Sequence, residues 1–427
     1  MKDAGGHEIT GTLDLGTETD IGYWNYTLDD ASKTVTLNYY DSSLEEGYDW
    51  HNPRECVDIY ASYDIGGAVY KTQLASQEQA RSSSKSTYFF RKNASYIDEI
   101  SFSDKIDTSN LTGTVQMFAG LTGLKNINWG SFDTSNVTNM AGMFEGSIIH
   151  NNIVLDLSNF VTDKVTDMSY MFSGCAKNGT GLKAVNLSSF NTSNVTNMRN
   201  MFSSSYYLEG LDVSTFNTSN VTDMGNMFAY LHCIDNLGLH NFNTSNVTDM
   251  GYMFAGCKSL QELNLLSFDT SNVTNMGSMF AGCQSLKKLN ISSFNTSKVT
   301  TMKEMFGNYS SGVLVSELDL SNFDTSNVTD MSYMFSKSHI RKINLSSFDT
   351  QKVKDFSYMF QSCTHLTKLN LTPFTNSCTY GSKQASVYGM FKNTALLEEV
   401  LVSDNWAKEC VQDNTFEGSG CTGFTWE

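Results

Sequence analysis

Residues 323–335 read FDTSNVTDMSYMF, and close copies stand at 132–144 (FDTSNVTNMAGMF), 216–228 (FNTSNVTDMGNMF) and 268–280 (FDTSNVTNMGSMF). Such a block is either a catalytic signature used many times or a structural rung laid down many times. Aligning the phenylalanine that closes each copy gives Phe118, Phe144, Phe172, Phe202, Phe228, Phe254, Phe280, Phe306, Phe335, Phe360 and Phe391, with 26 residues the commonest step. Longer steps mark insertions around 175–181, 307–315 and 378–386. A period of this size specifies a solenoid, in which each unit buries its apolar face only against its neighbours.

Two patterns alternate within a unit. The stretches LQELNLLSF (260–268) and LKKLNISSF (286–294) end in period-2 alternation, which predicts a short strand. In NVTDMSYMF (327–335), Val328, Met331, Met334 and Phe335 fall on one face of a two-turn helix. Asn327 stands where an N-cap belongs, and Asp330 where a capping-box side chain reaches back. Gly174, Gly256 and Gly282, two residues past the phenylalanine, suit a left-handed helix end. The valines, threonines and glycines are poor helix formers, so a second short strand or a 3₁₀ turn is the alternative for this segment. The expectation is an α/β solenoid: a leucine-rich-repeat-like right-handed coil with one short strand plus one short helix or 3₁₀ turn per rung, and a β-rich N-terminal cap. Residues 1–96 form the cap, 97–402 about eleven rungs, and 403–427 a degenerate last repeat.

Composition supports an ordered chain. Of 427 residues 40% are hydrophobic and two are proline, and the net charge is −17, which opposes nucleic acid and anionic lipid as partners. There is no apolar run near 18 residues and no apolar signal segment behind MKDAGGHEIT, so secretion is an inference and no direct membrane insertion is expected. Of nine cysteines, Cys175, Cys257, Cys283 and Cys363 share one slot with Ser147, Ser205 and Ser338, which reads as a small buried site. Cys410 and Cys421 are a candidate disulfide pair in an oxidising compartment.

The copies also show which slots tolerate change. Thr134, Thr162, Thr192, Thr218, Thr244, Thr270, Thr296, Thr325 and Thr350 form an unbroken column, read as one hydroxyl per rung bonding the next rung's backbone. The Asn327 slot becomes Lys164, Lys298 and Lys352, so it faces water. A polar column on the strand, including Asp156, Asn186, Asp212 and Asn264, either stacks its amides or binds sugar hydroxyls or a calcium ion; no cofactor is otherwise called for. Beside it Glu262, Lys288, Glu317 and Lys342 alternate in sign, as favourable cross-strand pairs do. Earlier rungs carry Asn126, Val154, Ala184, Gly210 and Asn236 there, small or uncharged residues that leave the surface open to a ligand. One slot of the second segment holds Tyr170, Tyr252, Tyr333 and Tyr358 but Asn200, Ser278 or Glu304 elsewhere, so it is exposed and a candidate recognition column. The binding candidates are therefore Asn126, Asp156, Asn186, Asp212, Asn236 and those four tyrosines.

At the N-terminal end, residues 22–40 read as a hairpin and 80–87 as a loop before the partial rung IDEISF (97–102). Near the C-terminus Trp406 takes a phenylalanine slot and Phe416 the closing-phenylalanine slot. No P-loop, GxGxxG, HExxH or GxSxG occurs, no metal-ligand spacing recurs, and His232 beside Cys233 is the nearest approach to a nucleophile pair.

The units LQELNLLSFDTSNVTNMGSMFAGC (260–283) and LKKLNISSFNTSKVTTMKEMF (286–306) resemble the repeat of BspA-like leucine-rich-repeat surface proteins, over about residues 97–421. That resemblance implies a non-enzymatic, monomeric adhesin on the bacterial cell surface, binding host glycoprotein, mucin, extracellular matrix or glycan. A passive spacer is the alternative, and a carbohydrate-active enzyme a distant third.

Overall fold

The computed structural model describes residues 97–147, 154–175, 182–308, 310–374, 385–403 and 414–426. N-terminal to these it describes 17–18, 24–29, 31–32, 34–40, 55–59, 62–65 and 68–74. The loop at 80–87, the insertions at 176–181 and 378–384, Trp406 and Cys410 lie outside the described residues. The chain falls into two compact units, Met1–Val195 with Met201–Leu211, and Thr196–Asn200 with Asp212–Glu427.

In the first unit, strands β1 (Thr17–Glu18), β2 (Trp24–Asp29), β3 (Thr34–Tyr40), β5 (Ser62–Ile65) and β6 (Ala68–Leu74) make one sheet in the order β1-β5-β6-β3-β2. β2 and β3 are the hairpin expected at 22–40, paired from Trp24↔Tyr40 to Asp29↔Thr34. β4 (Glu55–Ile59) lies parallel to β7 (Ile97–Phe102), which lies parallel to β8 (Asn126–Asn128). The ladder of rungs therefore takes in residues before 97. β9 (Val154–Asp156) and β10 (Ala184–Asn186) pair in parallel farther along. In the second unit β11 (Glu262–Asn264) pairs with β12 (Lys288–Asn290), β13 (Glu317–Asp319) with β14 (Lys342–Asn344), and β15 (Lys368–Asn370) with β16 (Glu399–Val402) and then β17 (Thr425–Trp426), all in parallel.

The second segment of the rung is not a helix. Among the described residues there is neither α- nor 3₁₀-helix, so the coil is a β-solenoid rather than an α/β one. Its donors divide by parity. Met331, Tyr333, Phe335 and Lys337 donate to the carbonyls of Asp355, Ser357, Met359 and Gln361 on the next rung at 2.8–2.9 Å. Met334, Ser336 and Ser338 donate to Met331, Tyr333 and Phe335, three residues back, at 2.9–3.2 Å. The segment is thus a run of β-turns hydrogen-bonded sideways, and Asp330↔Asp355 is a one-residue parallel bridge within it. Two left-handed residues per turn run interrupt any helix: Tyr333 (φ 57°) and Lys337 (φ 58°) here, Tyr252 (φ 59°) and Gly256 (φ 69°) three rungs earlier. Gly174, Gly256 and Gly282 are left-handed as expected, at the end of turns rather than of helices. Asn327 caps nothing; its amide donates to Ser297 O of the preceding rung at 2.8 Å. The Asp330 carboxylate closes its own turn on the Ser332 N–H at 2.8 Å. A helix of two turns is marginal in water, and turns that share bonds with both neighbours satisfy the same donors cooperatively.

The apolar spacing is real although the helix is not. Met331, Met334 and Phe335 are fully buried, and the closing phenylalanines stack in files. In the first unit Phe118, Phe144, Phe172 and Phe202 lie 5.4–5.7 Å apart centroid to centroid. In the second, Phe228, Phe254, Phe280, Phe306, Phe335, Phe360, Phe391 and Phe416 follow at 5.0–5.9 Å, inside the range of favourable offset stacking. Phe416 thus fills the closing slot of the shortened last unit.

Polar columns tie the rungs together. Threonines of the unbroken column are hinge pins: Thr270 Oγ1 donates to Asn295 O at 2.9 Å and accepts from Asn295 N at 2.8 Å. Thr134 does the same with Val161, and Thr325 with Asp349. The cysteine slot is also a donor slot. Cys257 and Cys283 Sγ donate to Phe228 O and Phe254 O at 3.1 Å, as Ser205 Oγ does to Phe172 O at 2.7 Å and Thr394 Oγ1 to Phe360 O at 2.9 Å. Burial pushes the Cys257 and Cys363 thiols up to about 12, so neither is a nucleophile. Cys421 is buried as a free thiol. Three Asx turns mark the corners of a rung, as at Asp319, Asp324 and Asp330, each accepting from the N–H two residues on.

Replacing Thr270 by valine removes both bonds from the part-buried N–H and carbonyl of Asn295, so it should lower the unfolding free energy by about 1 kcal/mol in urea titration, with Thr270→Ser milder. Equal stability of the valine variant would remove the pin. The Asx turns predict an acid limit. Hydrogen bonds from the following serine hold Asp269, Asp319 and Asp324 below the ordinary carboxylate range. Their contribution is complete above the unfolded value of about 3.9 and is lost as pH falls through the lower folded values. A triple Asp→Asn variant keeps the turn acceptor without the titration. Its thermal midpoint should fall less between pH 5 and pH 2 than that of the native chain, and parallel curves would refute the linkage.

Candidate functional site

The strand column expected to bind ligand is first a set of turn closures. In the first unit Asp156 Oδ1 accepts from Ser158 N at 3.0 Å and from Asn186 Nδ2 of the adjacent strand at 2.8 Å. The Ser158 N–H, aided by its hydroxyl and by Asn186, holds the Asp156 carboxyl below the usual range. Asn186 closes its own turn on Ser188 N at 3.1 Å, and Asn126 donates to Glu99 Oε1 at 3.0 Å. Asp156 and Asn186 are therefore brought together, with their polar atoms largely committed to each other and to the backbone. Beside them Val154 is 53% exposed, opposite Ala184, whose own neighbour is Gly210. In the second unit Asp212 is exposed and accepts from Ser214 N at 2.9 Å, and Asn236 is exposed outside any strand.

The neighbouring charged column pairs as expected. Lys288 bonds Glu262, Lys342 lies 3.2 Å from Glu317, and Lys368 3.1 Å from Glu399. All are exposed pairs, worth ~0–1 kcal/mol each.

The tyrosine slot proves more distinctive than its variability implied. It is the first left-handed position of the turn run, with φ 58° at Tyr170, 59° at Tyr252, 57° at Tyr333 and 61° at Tyr358. Glycine fills it at Gly142 and Gly389, and asparagine at Asn200 and Asn226, as a left-handed backbone favours. Tyr170 is 38% and Tyr252 43% exposed. Tyr333 and Tyr358 are half-buried and stack at 4.8 Å, and Tyr388 meets Tyr358 edge-on at 5.4 Å. The Tyr358 ring lies across Gly389, where a Cβ would sit 2.6 Å from it. Glycine and asparagine sharing a column with tyrosine were the available sign of a positive φ.

Sequence reading also missed an arginine clasp. Arg199 stands in a slot otherwise held mainly by small residues, Gly225, Gly251 and Gly277 among them. Its guanidinium passes over Gly225, where a Cβ would be 2.6 Å from Nη1. Nη1 reaches Asp223 at 3.4 Å and Asp249 at 2.9 Å, joining three successive rungs. His232 is partly buried, and burial, with Lys258 nearby, lowers its pKa. Among the described residues no group of three or more His, Cys, Asp or Glu is placed to hold a metal ion.

No curated protein matches the sequence. Among solved structures the chain is similar to a leucine-rich repeat protein from Bacteroides ovatus, at 13% identity and TM-score 0.39, over 96% of this chain and 99% of that one. It is similar also to a leucine rich cell surface protein from Faecalibacterium prausnitzii, at 11% identity and TM-score 0.37, over 95% and 93%. The pneumococcal vaccine antigen PcpA matches at 11% identity and TM-score 0.42, over 93% and 95%. The family described as "Mycoplasma protein of unknown function, DUF285" matches residues 84–184, 178–236, 230–314 and 314–406. With matches that span most of its length, the chain belongs to that DUF285 family of repeat proteins.

Proposed function

We propose that this chain is a non-enzymatic recognition protein of the bacterial cell surface, an adhesin whose rungs present exposed side chains to host or microbial glycoprotein, mucin, matrix or glycan. The carrying observation is the tyrosine column. Gly142 and Gly389 supply the left-handed backbone without strain, yet Tyr170 and Tyr252 occupy the same slot with 38% and 43% of their surface in water. A non-glycine residue there costs ~1 kcal/mol, which the covered part of the ring roughly offsets. Folding alone therefore gives little reason for tyrosine over asparagine. Tyrosine is a rigid, amphipathic contact residue that binding surfaces favour. The extracellular placement rests on the BspA-like resemblance of the repeats.

Tyr170→Asn with Tyr252→Asn should change the unfolding free energy by less than about 1 kcal/mol per site. The same variant should lose binding on an array of mucin, matrix proteins and glycans probed with the full chain. Undiminished binding would turn the solenoid into a spacer. Hydrolysis of an arrayed glycan, abolished by one carboxylate substitution, would instead make the chain an enzyme.

A further inference from the structure

The Arg199 clasp shows what one corner of the rung can hold. Asp223 and Asp249 are bridge partners on consecutive rungs, each carboxylate closing a turn through Oδ1 on Gly225 N and Gly251 N at 2.8 Å. The guanidinium settles on the oxygens that face along the column, at 3.4 and 2.9 Å. Gly225, of the small-residue slot, lies beneath the guanidinium, and the left-handed residue of the next rung, Tyr252, follows Asp249 by three residues.

The same corner recurs at Asp330 and Asp355. They too are bridge partners, closing turns on Ser332 N at 2.8 Å and Ser357 N at 2.7 Å over a floor of serines. Here the far wall is the stacked pair Tyr333 and Tyr358, with Tyr388 edge-on behind it. Burial and the negative charge of Glu304 push the Tyr333 hydroxyl up, Lys303 opposes them, and Asp355 adds a smaller push. Lys303 takes the place of Arg199 on the rung before, but among the described residues no ion pair joins it, or any other cation, to Asp330 or Asp355. Two cations act on the wall: Lys303 on Tyr333, and Lys392 on Tyr358, the latter already paired with Glu417 at 2.7 Å. An ammonium is a compact, strongly hydrated charge, whereas a guanidinium bridges two carboxylates and stacks on aromatic rings.

We propose that Asp330, Asp355 and the Tyr333–Tyr358 wall form a seat for an arginine side chain of a basic polypeptide partner, the external counterpart of the internal Arg199 clasp. The seat rests on the recognition reading above and names the chemistry of one partner. Carboxylates supply the charge-assisted hydrogen bonds and the tyrosines a cation–π contact. The interaction is screened by salt, because the site is partly exposed to solvent.

Isothermal titration of the full chain with a Gly/Ser nonapeptide bearing three arginines tests the seat, with the citrulline isostere as control. Asn139, Asn197 and Asn275 occupy the aspartate slot on other rungs, so D330N/D355N should fold. The arginine peptide is expected to bind, to weaken at least tenfold in D330N/D355N, and to weaken also in K303R, where the chain's own guanidinium would fill the seat. Asp104→Asn, an exposed carboxylate elsewhere, should leave binding unchanged. Equal binding of the citrulline peptide, or native affinity of D330N/D355N, overturns the proposal. So does a chitooligosaccharide that binds at Tyr358 regardless of the two aspartates, which would assign the wall to glycan. Array binding lost with Tyr170 and Tyr252 while the arginine peptide fails would sink the seat and leave the recognition reading intact.

Discussion

The structure depends on main-chain hydrogen bonds that leave a rung instead of closing within it. When Phe335 N–H donates to Met359 O at 2.9 Å, the donor that a helix would satisfy four residues back is satisfied by the next copy of the sequence. The other columns require that registration. Phenylalanine rings meet face to face, threonine hydroxyls reach one backbone residue on the next rung, and thiols or hydroxyls find the carbonyl of the preceding phenylalanine, because the rungs are held in step. A single unit has half its donors pointing at an absent neighbour, so stability is a property of the stack.

Much of this was legible in the sequence. The closing phenylalanines, the threonine column and the Glu/Lys alternation all report what sits beside what on neighbouring rungs, and repeats display that directly. The hairpin at 22–40 was legible because strand alternation and a polar turn are local signals. The helix misled because Val328, Met331, Met334 and Phe335 have a spacing that consecutive β-turns satisfy equally well. Periodicity identifies the buried face and leaves open which hydrogen bonds bury it. The decisive sign was a single column holding Gly142, Gly389, Asn200 and Asn226, residues that share only a tolerance for positive φ.

The site was less legible, for a related reason. Asp156 and Asn186 were singled out as polar and exposed, yet their atoms close turns and bond one another, so polarity there reports the corner of a coil. Arg199 drew no attention because it occurs once, and repeat comparison weights what recurs. Its importance appears only when Gly225 is seen to leave room for a guanidinium that ties Asp223 to Asp249.

Through-hydrogen-bond scalar coupling in the labelled full chain tests the central claim most directly. The account predicts a coupling between the Phe335 amide nitrogen and the Met359 carbonyl carbon, and likewise between Tyr333 and Ser357. A coupling from Phe335 to the Met331 carbonyl carbon instead, the signature of a helical turn, would contradict it.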